Sequence, residues 1–129
     1  MKKMLLLFVL TIAGVATVKS QCTDLFISEY VEGSNNNKAL ELYNPTSSSI
    51  DLSAYKIVRY SNGSQTGSSI DLSGTIAAYA AFVLVIDLQD TTLSGQDTSA
   101  FKELRDKADL FLCPDYDVSS AMYFNGDDA

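Results

Sequence analysis

Carboxylates are the residues of this chain best suited to chemistry. Asp115, Asp117, Asp127 and Asp128 lie close together in sequence, and Glu29, Glu32 and Glu41 flank the first polar loop. Hard cations such as calcium take oxygen ligands of this kind, which makes the four aspartates the calcium candidates of the chain. Their spacing is not that of an EF-hand loop, and no glycine-rich phosphate loop leads from a strand into a helix. Clustered acids on an acidic protein are ordinarily solvated turns. The sequence therefore assigns no catalytic residue, no resident metal and no cofactor. Histidine is absent, which removes His-based triads, histidine-ligated zinc and imidazole acid–base chemistry. Two cysteines cannot make a four-thiolate metal site.

The charge balance narrows the partners. Nine Lys and Arg face sixteen Asp and Glu over 129 residues. Three of the nine, Lys2, Lys3 and Lys19, lie in the first 20 residues, so the remainder carries six basic against sixteen acidic groups. Such a surface repels phosphate backbones, and direct nucleic-acid binding is not expected.

The first 20 residues read as a secretory signal peptide. Lys2 and Lys3 form a positive start, Leu5 to Val18 is an uncharged apolar run of 14 residues, and Val18-Lys19-Ser20 offers a cleavage site before Gln21. A spanning helix needs about 20 apolar residues, which argues against a membrane anchor. Lipidation at Cys22 would want a small residue where Gln21 stands. A secreted or cell-surface location follows as an expectation, with residues 21–129 forming one domain. In an oxidising compartment two cysteines suggest pairing, so a Cys22–Cys113 disulfide is expected. The alternative is two unrelated small core residues.

The elements that must position these groups repeat with a period of two. Leu25 to Val31 is β-rich, and Glu32 to Lys38 is a loop of turn-formers. In Ala39 to Asn44, Leu40 and Leu42 face one way and Glu41 and Tyr43 the other. Pro45 closes that strand. Tyr55 to Tyr60 alternates again, followed by the turn dipeptide Asn62-Gly63. That dipeptide also opens a glycosylation sequon, for which the turn is the simpler explanation. Tyr43, Tyr55 and Tyr60 supply packing surface with a polar tip, and Arg59 is expected to snorkel or to pair with an acidic neighbour. Ile70 to Leu72 is a short strand. Ala80 to Asp87 is the most apolar run and the best candidate for a central strand buried on two sides. Met122 to Phe124 reads as a last strand fragment, closed by a turn at Asn125-Gly126-Asp127. One segment differs: Thr98 to Asp109 places Phe101, Leu104 and Ala108 at helical spacing, capped by Asp97 or Ser99. It predicts a short helix packing Phe101 and Leu104 on a sheet. Ser48 to Ser53 returns as Ser68 to Ser73. Two copies are too few for a repeat protein, so the motif reads as one strand-end solution used twice. Short strands with turns and one helical connection make an all-β sandwich.

The stretch from Leu25 to Thr46, the continuation Ile50 to Gly63, Leu72 to Ile76, and the ending Met122 to Ala129 together resemble a bacterial lamin-tail domain. The resemblance covers about Asp24 to Ala129. It implies an immunoglobulin-like β-sandwich with one short helical connection. It also implies a non-catalytic secreted or surface module that binds a protein or surface ligand. The alternative is an N-terminal accessory domain of a secreted nuclease or phosphoesterase whose active site lies beyond residue 129. Relatives in such a family continue past the Gly-Asp-Asp-Ala stretch, so the domain is expected to lack its last strand. An open sheet edge, with Phe82 to Ile86 as the exposed hazard, would then favour edge-strand dimers or tandem domains.

Overall fold

The computed structural model describes residues 22–126 and 128. The signal peptide expected over residues 1–20 lies outside the described residues, as do Gln21, Asp127 and Ala129.

Among the described residues, eight strands and one short α-helix follow in chain order. Strand β1 is Phe26–Glu32, β2 Lys38–Tyr43, β3 Ile50–Asp51, β4 Lys56–Arg59, β5 Ser68–Asp71, β6 Thr75–Ile76 and β7 Ala81–Ile86; helix α1 is Lys102–Arg105 and β8 is Leu110–Leu112. One sheet has the order β1-β2-β7-β8, and β3-β6 and β4-β5 form two small two-stranded sheets. All pairings are antiparallel except β7 with β8, which run parallel. A parallel neighbour needs a long crossover, and residues 87–109, carrying α1, provide it.

The burial pattern follows the sequence pattern. On β2, Leu40 and Leu42 are buried while Glu41 and Tyr43 are half-buried. On β7, Leu84, Val85 and Ile86 are each 0% exposed, so the strand is buried on both faces, as the apolar run predicts. It pairs with β2 on one side and β8 on the other. The hazard expected at Phe82 to Ile86 is therefore misplaced. The edges of this sheet are β1 and β8, and on β1 Phe26, Ile27 and Tyr30 are 39%, 54% and 50% exposed. A bulge between Ile27 and Glu29 breaks the register of β1, and such bulges, like the charges of Glu29 and Glu32, blunt edge pairing.

The two copies of Ser-Ser-Ile-Asp-Leu-Ser meet in space. Leu52 N–H donates to the Gly74 carbonyl at 3.0 Å, and Leu72 N–H donates to the Tyr55 carbonyl at 3.0 Å. In each copy the Asp ends a strand and is exposed, and the Leu enters the core. Leu52, Leu72 and Ile76 join Leu40, Leu42, Leu84, Ile86, Leu112 and Met122 in one apolar cluster.

Two expected elements come out differently. The helix is one turn, Lys102–Arg105, and neither Asp97 nor Ser99 caps it. Phe101 takes the cap position, and its N–H donates to Asn37 Oδ1 at 2.6 Å. Leu104 packs against the core, but Phe101 is 60% exposed, because a single turn cannot bring both rows of the helix onto the sheet. The strand expected at Met122 to Phe124 does not form. Ala121 and Met122 are consecutive buried residues in irregular chain, and the Tyr123 carbonyl is taken by Arg59 rather than by a ladder. After it Asp128 N–H donates to the Asn125 carbonyl at 2.9 Å, while Asp127 of the expected turn lies outside the described residues.

Candidate functional site

A cleft of ≈ 1150 Å³ opens where four connections converge. The β1–β2 loop brings Asn35 and Asn36, and the end of β4 brings Arg59. The crossover brings Asp97 and Thr98. The chain after β8 brings Asp115, Tyr116, Asp117, Tyr123 and Asn125.

Arg59 is the centre of this arrangement. It is 6% exposed. Strand β4 ends on it and directs its side chain across to the irregular segment that follows β8. There Nη1 donates to the Tyr123 carbonyl, and Nη2 donates to Ser120 Oγ at 2.8 Å. Nη1 also stands 3.3 Å from Asp128 Oδ2, whose side chain is 2% exposed. The acidic neighbour expected for Arg59 is thus Asp128. Burial pushes the Asp128 carboxyl up, but donors outweigh it: the Asn62 and Asn125 N–H groups, the Ser61 hydroxyl and the Arg59 charge hold it below its ordinary value. A buried charge that is both paired and hydrogen-bonded stays ionised.

The β1–β2 loop is a strut. Its three asparagines read as turn-formers, yet Asn36 and Asn37 are buried. Asn36 Nδ2 donates to the Thr98 carbonyl at 2.7 Å, Asn37 Nδ2 donates to the Ser34 carbonyl at 2.7 Å, and Asn37 Oδ1 accepts from Phe101. Asn35 takes φ 53°, a left-handed conformation that asparagine tolerates. Gly33 closes the loop: its N–H donates to the Asn37 carbonyl at 2.7 Å, and a Cβ there would stand 2.7 Å from Asn37 Cβ. The signal missed in the sequence is long-range. An Asn side chain presents two donors and an acceptor pair, and nothing local says that they will serve a segment 62 residues away.

Lys38, Tyr116, Tyr123 and Phe124 complete the wall. Lys38 Nζ lies 3.9 Å from Glu32 Oε1 and 5.9 Å from the centre of the Phe124 ring. Tyr30 packs on Phe124 with ring centroids 4.6 Å apart, and its hydroxyl donates to Glu32 Oε2 at 2.8 Å. Burial, then that bond to a carboxylate, pushes the Tyr30 phenol up to about 12. Tyr116 is 57% exposed, meets Tyr123 edge to face at 5.0 Å, and lies 6.0 Å from the Arg59 guanidinium carbon.

The calcium candidates are not gathered into a cage. Asp115 and Asp117 are exposed at the cleft, where Asp115 Oδ1 accepts from Asp117 N–H at 2.9 Å. Asp128 is turned away onto Arg59, and Asp127 lies outside the described residues. Among the described residues no group of three or more potential metal-ligating His, Cys, Asp or Glu forms. Glu29 and Glu41 are register partners on β1 and β2, and Glu41 accepts from Ser28 Oγ at 2.7 Å.

The Cys22–Cys113 disulfide is not formed either. Cys113 is wholly buried in the apolar cluster with its thiol 3.6 Å from Ser119 Oγ, while Cys22 is exposed. The sulfur of Cys113 faces inward, to a hydroxyl of its own loop.

A family model described as Lamin Tail Domain matches residues 19–121. The chain belongs to the lamin tail domain family. The match runs from Lys19 through β8 to the buried Ala121. The immunoglobulin-like, all-β sandwich that the resemblance implies is the fold observed. No curated protein and no solved structure matches the chain. Among the described residues, no helix of this lamin tail domain is long and apolar enough to cross a membrane.

Proposed function

We propose that this lamin tail domain is an exported, non-catalytic binding module, and that the cleft beside Arg59 is its recognition surface. One observation carries the reading: both cations of the cleft are neutralised within the fold, Arg59 by Asp128 and Lys38 by Glu32. What the cleft offers a partner is amides, carboxylates, hydroxyls and an exposed aromatic ring. These are groups that orient a ligand, with no paired nucleophile and base among them. Family membership supports a module of this kind. The Lys2-Lys3 start and the apolar Leu5 to Val18 run support export. The excess of acidic over basic residues supports a partner other than nucleic acid.

The test is turnover. Protein recovered from the culture medium is incubated with duplex DNA, RNA and an aryl phosphate ester, with magnesium or calcium. No hydrolysis is expected. Hydrolysis that disappears in Asp115→Asn, Asp117→Asn protein would overturn the reading and favour phosphoesterase chemistry at these carboxylates.

A further inference from the structure

Three properties of the cleft bear on the class of its ligand. The first is an aromatic platform. Tyr116 is 57% exposed, yet its ring is held by a T-shaped contact with Tyr123 and by the Arg59 guanidinium carbon over it at 6.0 Å. A ring held in place and still more than half exposed loses little freedom when an apolar surface stacks on it.

The second is the pattern of polar groups around that ring. Asn35 and Asn125 present amides that both donate and accept, and Asp97, Asp115 and Asp117 present carboxylates. Asp115 gives one acceptor site to the Asp117 N–H, and a carboxylate has about four. Carboxylates beside amides match a ligand rich in hydroxyls, each of which both donates and accepts.

The third is charge. The rim carboxylates repel polyanions. The two cations of the wall, Arg59 and Lys38, are already paired with Asp128 and Glu32, so neither recruits an anion. Arg59 Nε is, among the described residues, the one buried side-chain nitrogen or oxygen without a hydrogen-bond partner. It is a donor, and an acceptor oxygen, direct or through one water, is what it lacks.

We propose that the cleft binds a neutral oligosaccharide. The apolar face of one sugar ring stacks on Tyr116, and its hydroxyls bond to Asn35, Asp115 and Asn125. The assignment rests on the reading of the chain as a binding module and names the ligand class of that same site.

The experiment uses protein purified from the medium and a panel of neutral hexasaccharides: β-1,4-glucan, β-1,3-glucan, xylan, mannan and chitin. Oligogalacturonate and hexalysine serve as charged probes. Calorimetry should show saturable binding of at least one neutral hexasaccharide at about millimolar or tighter affinity, insensitive to added salt, since no net charge is engaged. Tyr116→Ala should weaken it at least about tenfold, whereas Tyr116→Phe, which keeps the ring, should stay within about twofold. Tyr79→Ala, at a tyrosine 58% exposed and away from the cleft, should leave it unchanged. No binding by any neutral member, or tighter binding of oligogalacturonate or hexalysine, overturns the assignment. Binding that survives Tyr116→Ala in protein with an unchanged circular-dichroism spectrum also overturns it. Chain-length analysis of the recovered sugar separates the two readings: cleaved hexasaccharide defeats the non-catalytic module itself, and intact, unbound sugar defeats only the choice of ligand.

Discussion

Arg59 Nη1 and Asp128 Oδ2 stand 3.3 Å apart with side chains 6% and 2% exposed, which ties the end of β4 to the turn at residues 125–128. Removing one member of a buried ion pair leaves the other charge uncompensated, at about 3–5 kcal/mol. Arg59→Met should therefore destabilise the protein by about 3 kcal/mol or more, and Asp128→Asn by somewhat less, since an amide still accepts one bond. Urea denaturation measures both. A double-mutant cycle with no coupling between the two positions would show that the pair contributes nothing beyond its separate contacts.

The same pair sets an acid limit. The Asp128 carboxyl is held below its ordinary value of 3.8 in the folded protein. A depressed folded pKa contributes stability that is complete above the unfolded value and is lost as pH falls through the folded one. Stability of the wild type should therefore decline below about pH 4, and Asp128→Asn should flatten part of that decline. Asp24, Asp51 and Asp90 are also lowered, chiefly by hydrogen bonds from Tyr55, the Ser53 backbone and the Thr92 side chain respectively, so the variant retains a residual slope. Unfolding free energies from pH 2 to 7 check this; parallel curves for variant and wild type would contradict it.

Much of this fold was legible in the sequence because it rests on alternation. The two-sided burial of β7, the in–out pattern of β2 and the paired Ile-Asp-Leu-Ser strand ends need only local pattern to be seen. The site was less legible because it is built from irregular chain. Arg59 could be expected to find an acid, but not which of several. Asn36 and Asn37 read as turn residues because their partners, Thr98 and Phe101, are more than 60 positions away. Met122 to Phe124 has strand-like composition, yet its carbonyl at Tyr123 was claimed by a guanidinium instead of a neighbouring strand.

Asn44 illustrates the same point and makes a sharp test. It is 0% exposed, its Nδ2 donates to the Ser48 and Ala77 carbonyls at 2.8 and 2.9 Å, and its Oδ1 accepts from Thr46 N–H at 2.9 Å. Asn44→Ala strands these groups, each costing about 1–3 kcal/mol when left buried and unsatisfied. A loss of about 3 kcal/mol or more is expected in chemical denaturation. A loss below about 1 kcal/mol would mean that water replaces the amide without penalty.

Gly33 should be equally intolerant. A Cβ there meets Asn37 Cβ at 2.7 Å and the Asn37 carbonyl oxygen at 3.1 Å. Gly33→Ala must displace Asn37, the residue that holds the Phe101 N–H. It should destabilise the protein by about 1–3 kcal/mol and weaken ligand binding at the cleft. A variant of full stability and affinity would show that the loop is not a strut.

Export can be checked at the same time as thiol state. Edman sequencing of protein from the medium should begin near Gln21. Alkylation of the unreduced, unfolded protein should label both Cys22 and Cys113, as the inward-facing Cys113 thiol implies. An intact Met1 on membrane-bound protein would defeat the first expectation, and two unlabelled cysteines the second.

The central claim is that recognition occurs at the cleft between the Asn35–Lys38 loop and the segment from Pro114 to Asn125, not at the open β1 edge. Amide chemical-shift mapping tests it most directly, with isotope-labelled protein titrated with the tightest-binding neutral hexasaccharide of the panel. The shifts should concentrate at Asn35, Lys38, Arg59, Tyr116, Tyr123 and Asn125 and saturate together. Shifts confined to Phe26–Glu32, or none anywhere in the protein, would contradict it.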